Sequence, residues 1–205
     1  MAARQFAQVM ALKFDGPPGS TPLDPDELDG LVPTHITQRG ELDEWEAQNI
    51  LKAAAWLHGR DKLDVLKPAF VCALHKRMFD DTWKWAGTFR KNEKNLGVAP
   101  AQIAVRTRDL CDDVKAQLAH GGVPLDEIVA MFHHRLVSIH PFANGNGRHA
   151  RMITDLLLRL NGAQAFTWGG TDLNDQNAVR DRYIAALRAA DGKNYTLLFE
   201  FVRSS

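Results

Sequence analysis

The sequence predicts an all-α domain with one small β-hairpin. Three observations lead there. Apolar residues recur at helical spacing through most of the chain, and prolines and glycines mark where those stretches begin and end. One stretch, Trp83 to Pro100, is instead broken by Gly87, Gly97 and two asparagines, which predicts a hairpin rather than a helix.

Taken in order, residues 1–36 form an irregular lead-in, because Asp15 to Pro33 holds five prolines among glycines and acids. Residues 37–205 form the domain proper. Its first helix runs from Glu41 to His58, with Leu42, Trp45, Ile50, Ala54 and Leu57 on one face and Gly59 as its stop. A second starts at Pro68, where a first-turn proline is tolerated, and carries Phe70, Val71, Leu74 and Met78. After the hairpin, Pro100 opens a helix with Ile103, Leu110, Val114 and Leu118 inward, closed by Gly121 and Gly122. Pro124 leads the next, with Ile128, Phe132, Leu136 and Ile139, and Pro141 ends it. A helix from the following glycine-rich loop to Leu160 is apolar on several faces, which makes it the central one, and Asn161-Gly162 terminates it. Stretches from about Asn174 to Ala190 and from Tyr195 to Arg203 complete the fold.

The length of 205 residues suits one domain with one core, and 45% apolar with 24% charged residues exclude a disordered or fibrous chain. Twenty-five basic residues balance 25 acidic ones, so nucleic acid and anionic lipid are not expected partners. Cys72 and Cys111 stand 39 residues apart without a Cys/His cluster, which argues against a disulfide scaffold or a structural zinc site. With no long apolar run and no export signal in the first 14 residues, the expectation is a cytoplasmic protein outside the membrane.

Chemistry converges on residues 140 to 151, His-Pro-Phe-Ala-Asn-Gly-Asn-Gly-Arg-His-Ala-Arg. Gly145 and Gly147 let the backbone bend close to a ligand, and the helix that follows presents unpaired N–H groups at its positive end. That is an anion cradle. Arg148 and Arg151 are three apart, so they share a helical face and can both reach phosphate oxygens. A polyphosphate is the expected ligand. His140, with an ordinary pKa near 6.5, is the candidate general base. Phe142 plugs into the core and stiffens the loop. Elsewhere His133 and Tyr183 read as hydrogen-bonded core residues, and Trp83 and Trp85 as packing anchors under the hairpin.

Eight fixed positions in this segment match H-P-F-x-[D/E]-G-N-G-R-x-x-R, so the chain resembles the Fic (filamentation induced by cAMP) domain family. WAGTFR followed by KNLGVAP resembles that family's flap, FHHRLVSIHPF its approach to the catalytic histidine, and YIAALRAADGKNYTLLFEFV its C-terminal helices. STPLDPDELDGLVPTHITQRGELDEWEAQNI is similar to the subgroup called mobile mystery protein B. The resemblance covers most of residues 20–203. It implies a Fic-type helical domain that moves AMP from ATP, with Mg²⁺ or Mn²⁺, onto a Ser, Thr or Tyr hydroxyl of a target protein. By position, His140 would be the base, and Gly145, Asn146 and Gly147 the anion hole. Arg148 and Arg151 would hold phosphates. Asn95, Leu96, Gly97 and Val98 would form the flap that receives the target peptide by strand addition.

Asn144 departs from the pattern, standing where the family carries Asp or Glu as metal ligand; a neutral carbonyl holds a hard dication less strongly. Three outcomes stay open: AMP transfer with the metal held mainly by the phosphates, transfer of a different phosphate-containing group, or a toxin–antitoxin-like module that binds nucleotide with little turnover. A small antitoxin-like partner and a homo-oligomer are candidate assemblies. Many Fic proteins carry an inhibitory [S/T]-x-x-x-E-[G/N] helix, whose Glu pairs with the second motif Arg, by position Arg151, and blocks the productive pose of ATP. Thr37 and Glu41 have its spacing, although Leu42 replaces the final residue, and Glu46 is the second candidate. The alternative for both acids is the ordinary enrichment that suits a helix's first turn.

Overall fold

The computed structural model describes residues 25–170 and 176–204. The helices are α1 (Pro25–Leu28), α2 (Arg39–Leu57), α3 (Pro68–Phe79), α4 (Pro100–His120), α5 (Leu125–Ile139), α6 (Asn146–Leu160), α7 (Gln176–Asp191) and α8 (Thr196–Arg203). Predicted boundaries agree to within a few residues. The start expected at Asn174, like residues 1–24 of the lead-in, lies outside the described residues. No helix among the described residues is long and apolar enough to cross a membrane.

α5 and α6 form the centre. α4 packs on α5, α3 packs on α6, α2 lies on α3, and α7 and α8 pair with each other against α5. α6 is buried on several sides through His149, Ala150, Ile153, Thr154, Leu156, Leu157 and Leu158, which is why its sequence lacks a clean polar face. It stops at Gly162, whose φ of 76° lets the chain turn back so that Ala163 donates to the Leu158 carbonyl.

Two expectations are corrected. The lead-in is not wholly irregular: α1 provides a helical turn whose Glu27 carbonyl accepts from Trp85 Nε1, and Leu31 makes an isolated antiparallel bridge with Trp83. The β-hairpin flap is absent: among the described residues there is no β-strand, and 83–99 is an ordered irregular loop. Cross-strand pairing fails because buried Arg90 gathers backbone groups that a hairpin would pair. Its Nε donates to His140 O (2.7 Å), Nη1 to Asn92 O (2.8 Å) and Nη2 to Val98 O. Its backbone N–H goes to Pro141 O, and Val98 N–H to Ile139 O. The backbone of the loop is therefore held by the end of α5 and by the Arg90 side chain rather than by strand-to-strand pairing.

The buried stripe of α2 also differs from the apolar pattern. It runs Leu42, Glu46, Asn49, Ala53 and Leu57, while Ala54 is exposed. Polar residues at two stripe positions hide the true face from a hydrophobicity reading.

Candidate active site

α5 ends at His140, which adopts left-handed φ 52°, ψ 61°. That conformation is unfavourable for a side chain bearing a Cβ, and it reverses the chain into the motif loop. Its carbonyl is held by Arg90. The ring is buried, its residue only 6% exposed, and burial together with the Arg90 and Lys94 charges lowers its pKa to about 4, opposed by a hydrogen bond to the Val137 backbone. His140 is therefore neutral at pH 7.

The loop between α5 and α6 is braced from within. Asn146 Oδ1 accepts from Phe142 N–H (2.9 Å) and its Nδ2 donates to Phe142 O (2.8 Å), so the side chain of this motif asparagine closes the bend. Phe142 is fully buried and stacks on His75 with ring centres 3.7 Å apart. Buried His75 accepts from Gly87 N–H at Nδ1 (3.0 Å) and donates from Nε2 to Asn144 O (3.0 Å), which settles its tautomer as neutral Nε2–H. Burial, with smaller contributions from His149 and Arg148, holds its pKa well below the ordinary value.

Gly145 takes φ 76°, and a Cβ there would meet the Phe79 ring at 2.6 Å. The helix N-terminus that follows has no side-chain cap. Asn144 Oδ1 accepts from Gly145 N–H at 2.6 Å, which engages one amide of the expected anion hole. The amides of Asn146 and Gly147 open the first turn of α6, where helix geometry provides no acceptor within the helix.

The two motif arginines part company. Arg148 Nη1 pairs with Glu46 Oε2 at 2.6 Å and lies over the Phe79 ring. Glu46 is 1% exposed and also accepts Trp83 Nε1 at 2.7 Å. Arg151 lies over the Tyr183 ring (4.5 Å) and faces Trp168 (5.7 Å), and its buried Nε has no hydrogen-bond partner. Trp168 is anchored by Nε1 to both oxygens of Asp155, whose pKa burial raises.

Glu41 is placed elsewhere. Its Oε2 accepts the Thr37 and Gln38 N–H groups at the exposed start of α2, the part of a first-turn acid. Gly97 of the 95–98 segment sits directly against His140, and Leu96 is 52% exposed. His133 is fully buried between Tyr183 OH (2.8 Å) and Thr154, with a pKa lowered to about 3 by burial and by Arg151. Trp83 and Trp85 stack on each other at the start of the loop, Trp83 buried and Trp85 half-buried.

The loop provides little for a resident divalent cation. Asn144 is neutral and its oxygen is already engaged, and no group of three or more His, Cys, Asp or Glu side chains among the described residues could hold a metal. Hard dications favour carboxylates.

Sequence reading missed His75, Arg90, Trp168 and Asp155. None lies in the motif, and only His75, a polar residue inside the apolar stripe of α3, carried a local signal.

Residues 65–158 match the Fic/DOC family model. Over 81 residues the chain is 31% identical to a protein adenylyltransferase fic-1 of Caenorhabditis briggsae, a match covering 38% of this chain and 16% of that protein. The solved N-terminal Fic domain of Bep8 from Bartonella sp. 1-1C superimposes with a TM-score of 0.67 at 19% identity, covering 95% of this chain and 96% of that one. BepC of Bartonella tribocorum, solved with AMPPNP bound, superimposes with a TM-score of 0.63 at 20% identity, covering 82% and 87%. The matched segment, 94 of the 205 residues, holds α3 to α6 nearly whole, including the histidine, the glycine turn and both arginines, and over that segment the chain is similar to the Fic/DOC family.

Proposed function

We propose that this protein is a protein adenylyltransferase, moving AMP from ATP onto a Ser, Thr or Tyr hydroxyl of a target protein. The observation that carries the reading is Arg151 Nε, a buried donor without a partner, on the same helix whose uncapped N-terminus follows His140 and the glycine turn. A buried unsatisfied donor is costly, and a phosphate oxygen would satisfy it. The adenylyltransferase named above and the AMPPNP-bound Bartonella structure support the ligand class.

In this mechanism the triphosphate sits on the amides of Asn146 and Gly147, with Arg148 and Arg151 on its oxygens. Neutral His140 accepts the proton of the target hydroxyl as its oxygen bonds to the α-phosphorus, and the bond to the bridging oxygen breaks to release pyrophosphate. A pKa near 4 is low for a base at pH 7, but a bound polyanion favours the protonated ring and moves it upward, toward the working range. A divalent cation enters with ATP, as part of the substrate. The 95–98 segment places the target beside His140, although both backbone groups of Val98 are already engaged, leaving Asn95 and Leu96 for contact.

Of the two inhibitory candidates Glu46 carries the regulatory reading, through Arg148 rather than through Arg151, the second motif arginine that the resemblance implies, while Glu41 caps α2. Together with Asn144 it favours a second reading, a toxin–antitoxin-like module that binds nucleotide and turns over slowly until a partner or substrate displaces the glutamate. Similarity to the mobile mystery protein B subgroup is carried by residues 20–50, and a cytoplasmic location by the lack of a long apolar run.

The test is incubation with ATP labelled at the α-phosphate and a cell extract. Labelled protein that disappears with His140→Ala supports the transferase. ATP binding by calorimetry without label, and without rescue by Asn144→Asp, supports the binding module. Label that persists undiminished in His140→Ala removes the base.

A further inference from the structure

Resting on that reading, we infer that Arg90 is a positioning residue for the base: its guanidinium holds the backbone of His140 and both ends of the 92–98 loop in one arrangement. Three backbone carbonyls, of His140, Asn92 and Val98, receive its N–H groups, and its own backbone N–H reaches Pro141. The residue is 5% exposed. A fork of planar donors is needed to satisfy carbonyls diverging from three chain positions, which a lysine ammonium cannot reproduce.

The consequence for His140 is geometric and electrostatic. Left-handed backbone at a histidine persists only where its surroundings over-determine it, and the Arg90 bond to the His140 carbonyl, with Gly97 packed on its Cβ, does so. The charged groups acting on the ring are Arg90 and Lys94. Lys94 is paired with Glu27 of α1 at 2.6 Å, and Glu93 and Glu27 act on Arg90. Arg90 therefore fixes where the imidazole points, and its charge adds to burial, the larger cause, in keeping the ring unprotonated until an anion arrives.

The experiment compares full-length wild type, Arg90→Lys and Arg90→Gln. The imidazole of His140 is titrated by NMR, with His140→Ala identifying the resonance, and kcat and KM for ATP are measured beside urea unfolding. Followed by NMR from neutral pH down to the pH at which the fold is still intact, His140 begins to protonate at higher pH in Arg90→Gln, which removes the charge, so its apparent midpoint rises, whereas Arg90→Lys keeps it close to wild type. Both lower kcat by about 10²-fold with little change in KM, as expected for a base displaced by about 1 Å. An unshifted midpoint in Arg90→Gln, or wild-type kcat in both variants, overturns the inference. If Arg90→Gln does not fold, Arg90→Lys carries the test through its kcat-against-KM split. Should wild type label no protein, the transferase reading falls, and the titration still decides on Arg90.

Discussion

Replacing Gly97 by alanine tests whether the loop and the base form one rigid unit. A Cβ at this position would lie 2.6 Å from His140 Cβ, 2.6 Å from Arg90 Nη2 and 3.0 Å from Ile139 O. Carbon atoms pack at about 3.5–4.0 Å, so the new methyl is about 1 Å too close to the base and is blocked by a backbone oxygen on another side. Gly97 also holds φ at +101°, where any L side chain is strained by about 1–3 kcal/mol. For a chain of this size that strain lowers Tm by about 2–12 °C. The displacement of His140 costs more in rate than in stability, because a misplacement of about 1 Å in a catalytic group reduces turnover by about 10²-fold. Gly97→Ala is therefore expected to melt a few degrees early, remain folded at 25 °C, and transfer label about a hundredfold more slowly. Initial rates from α-labelled ATP, beside a thermal melt by circular dichroism, check both numbers. Wild-type turnover in a folded Gly97→Ala protein would refute the argument that this segment and His140 move together.

Acid should unfold the protein early. His75, His133, His140 and His149 are buried with folded pKa values below the ordinary 6.5, to about 3 for His133 and about 4 for His140 and His149. The unfolded chain takes up protons below pH 6.5 that the native state refuses, so this stability is complete above 6.5 and falls as pH drops toward 4. At pH 5, His133, His140 and His149 each contribute a loss of about 2 kcal/mol, and His75 adds a loss of the same sign. Urea midpoints that stay flat between pH 7 and pH 5 would contradict this. His75→Phe retains the stack on Phe142 but strands Gly87 N–H and Asn144 O, at about 1–3 kcal/mol each; an unchanged urea midpoint would show that neither bond matters. Glu46→Gln keeps an acceptor for Trp83 while removing the charge that ties Arg148, so calorimetry should show tighter ATP binding; equal or weaker affinity would make Glu46 purely structural.

The helices were legible because their causes are local. Prolines at 68 and 100 start helices where a first-turn proline is tolerated, and Gly121 and Gly162 end them with positive φ. The motif itself was legible because its residue types and spacing imply an anion cradle beside a base. The hairpin was misread because Gly87 and Gly97 signal turns without saying what the intervening backbone bonds to. That partner is Arg90, whose role depends on α5 arriving beside it. Glu46 was seen only as an acid on a helix; its burial against Trp83 and Arg148 depends on a residue 102 positions later in the chain.

By itself, the sequence determined the helical class, the element order and the segment proposed to bind anion, since periodicity, chain punctuation and a short contiguous motif are written within a few residues of one another. Tertiary structure alone decided that His140 is buried and neutral, that Glu46 rather than Glu41 reaches a motif arginine, that Arg151 keeps an unpartnered donor, and that Arg90 ties the loop to the base. Each of these depends on groups far apart in the chain being brought to hydrogen-bonding distance in a low-dielectric interior, where pairing and desolvation set protonation state and geometry together.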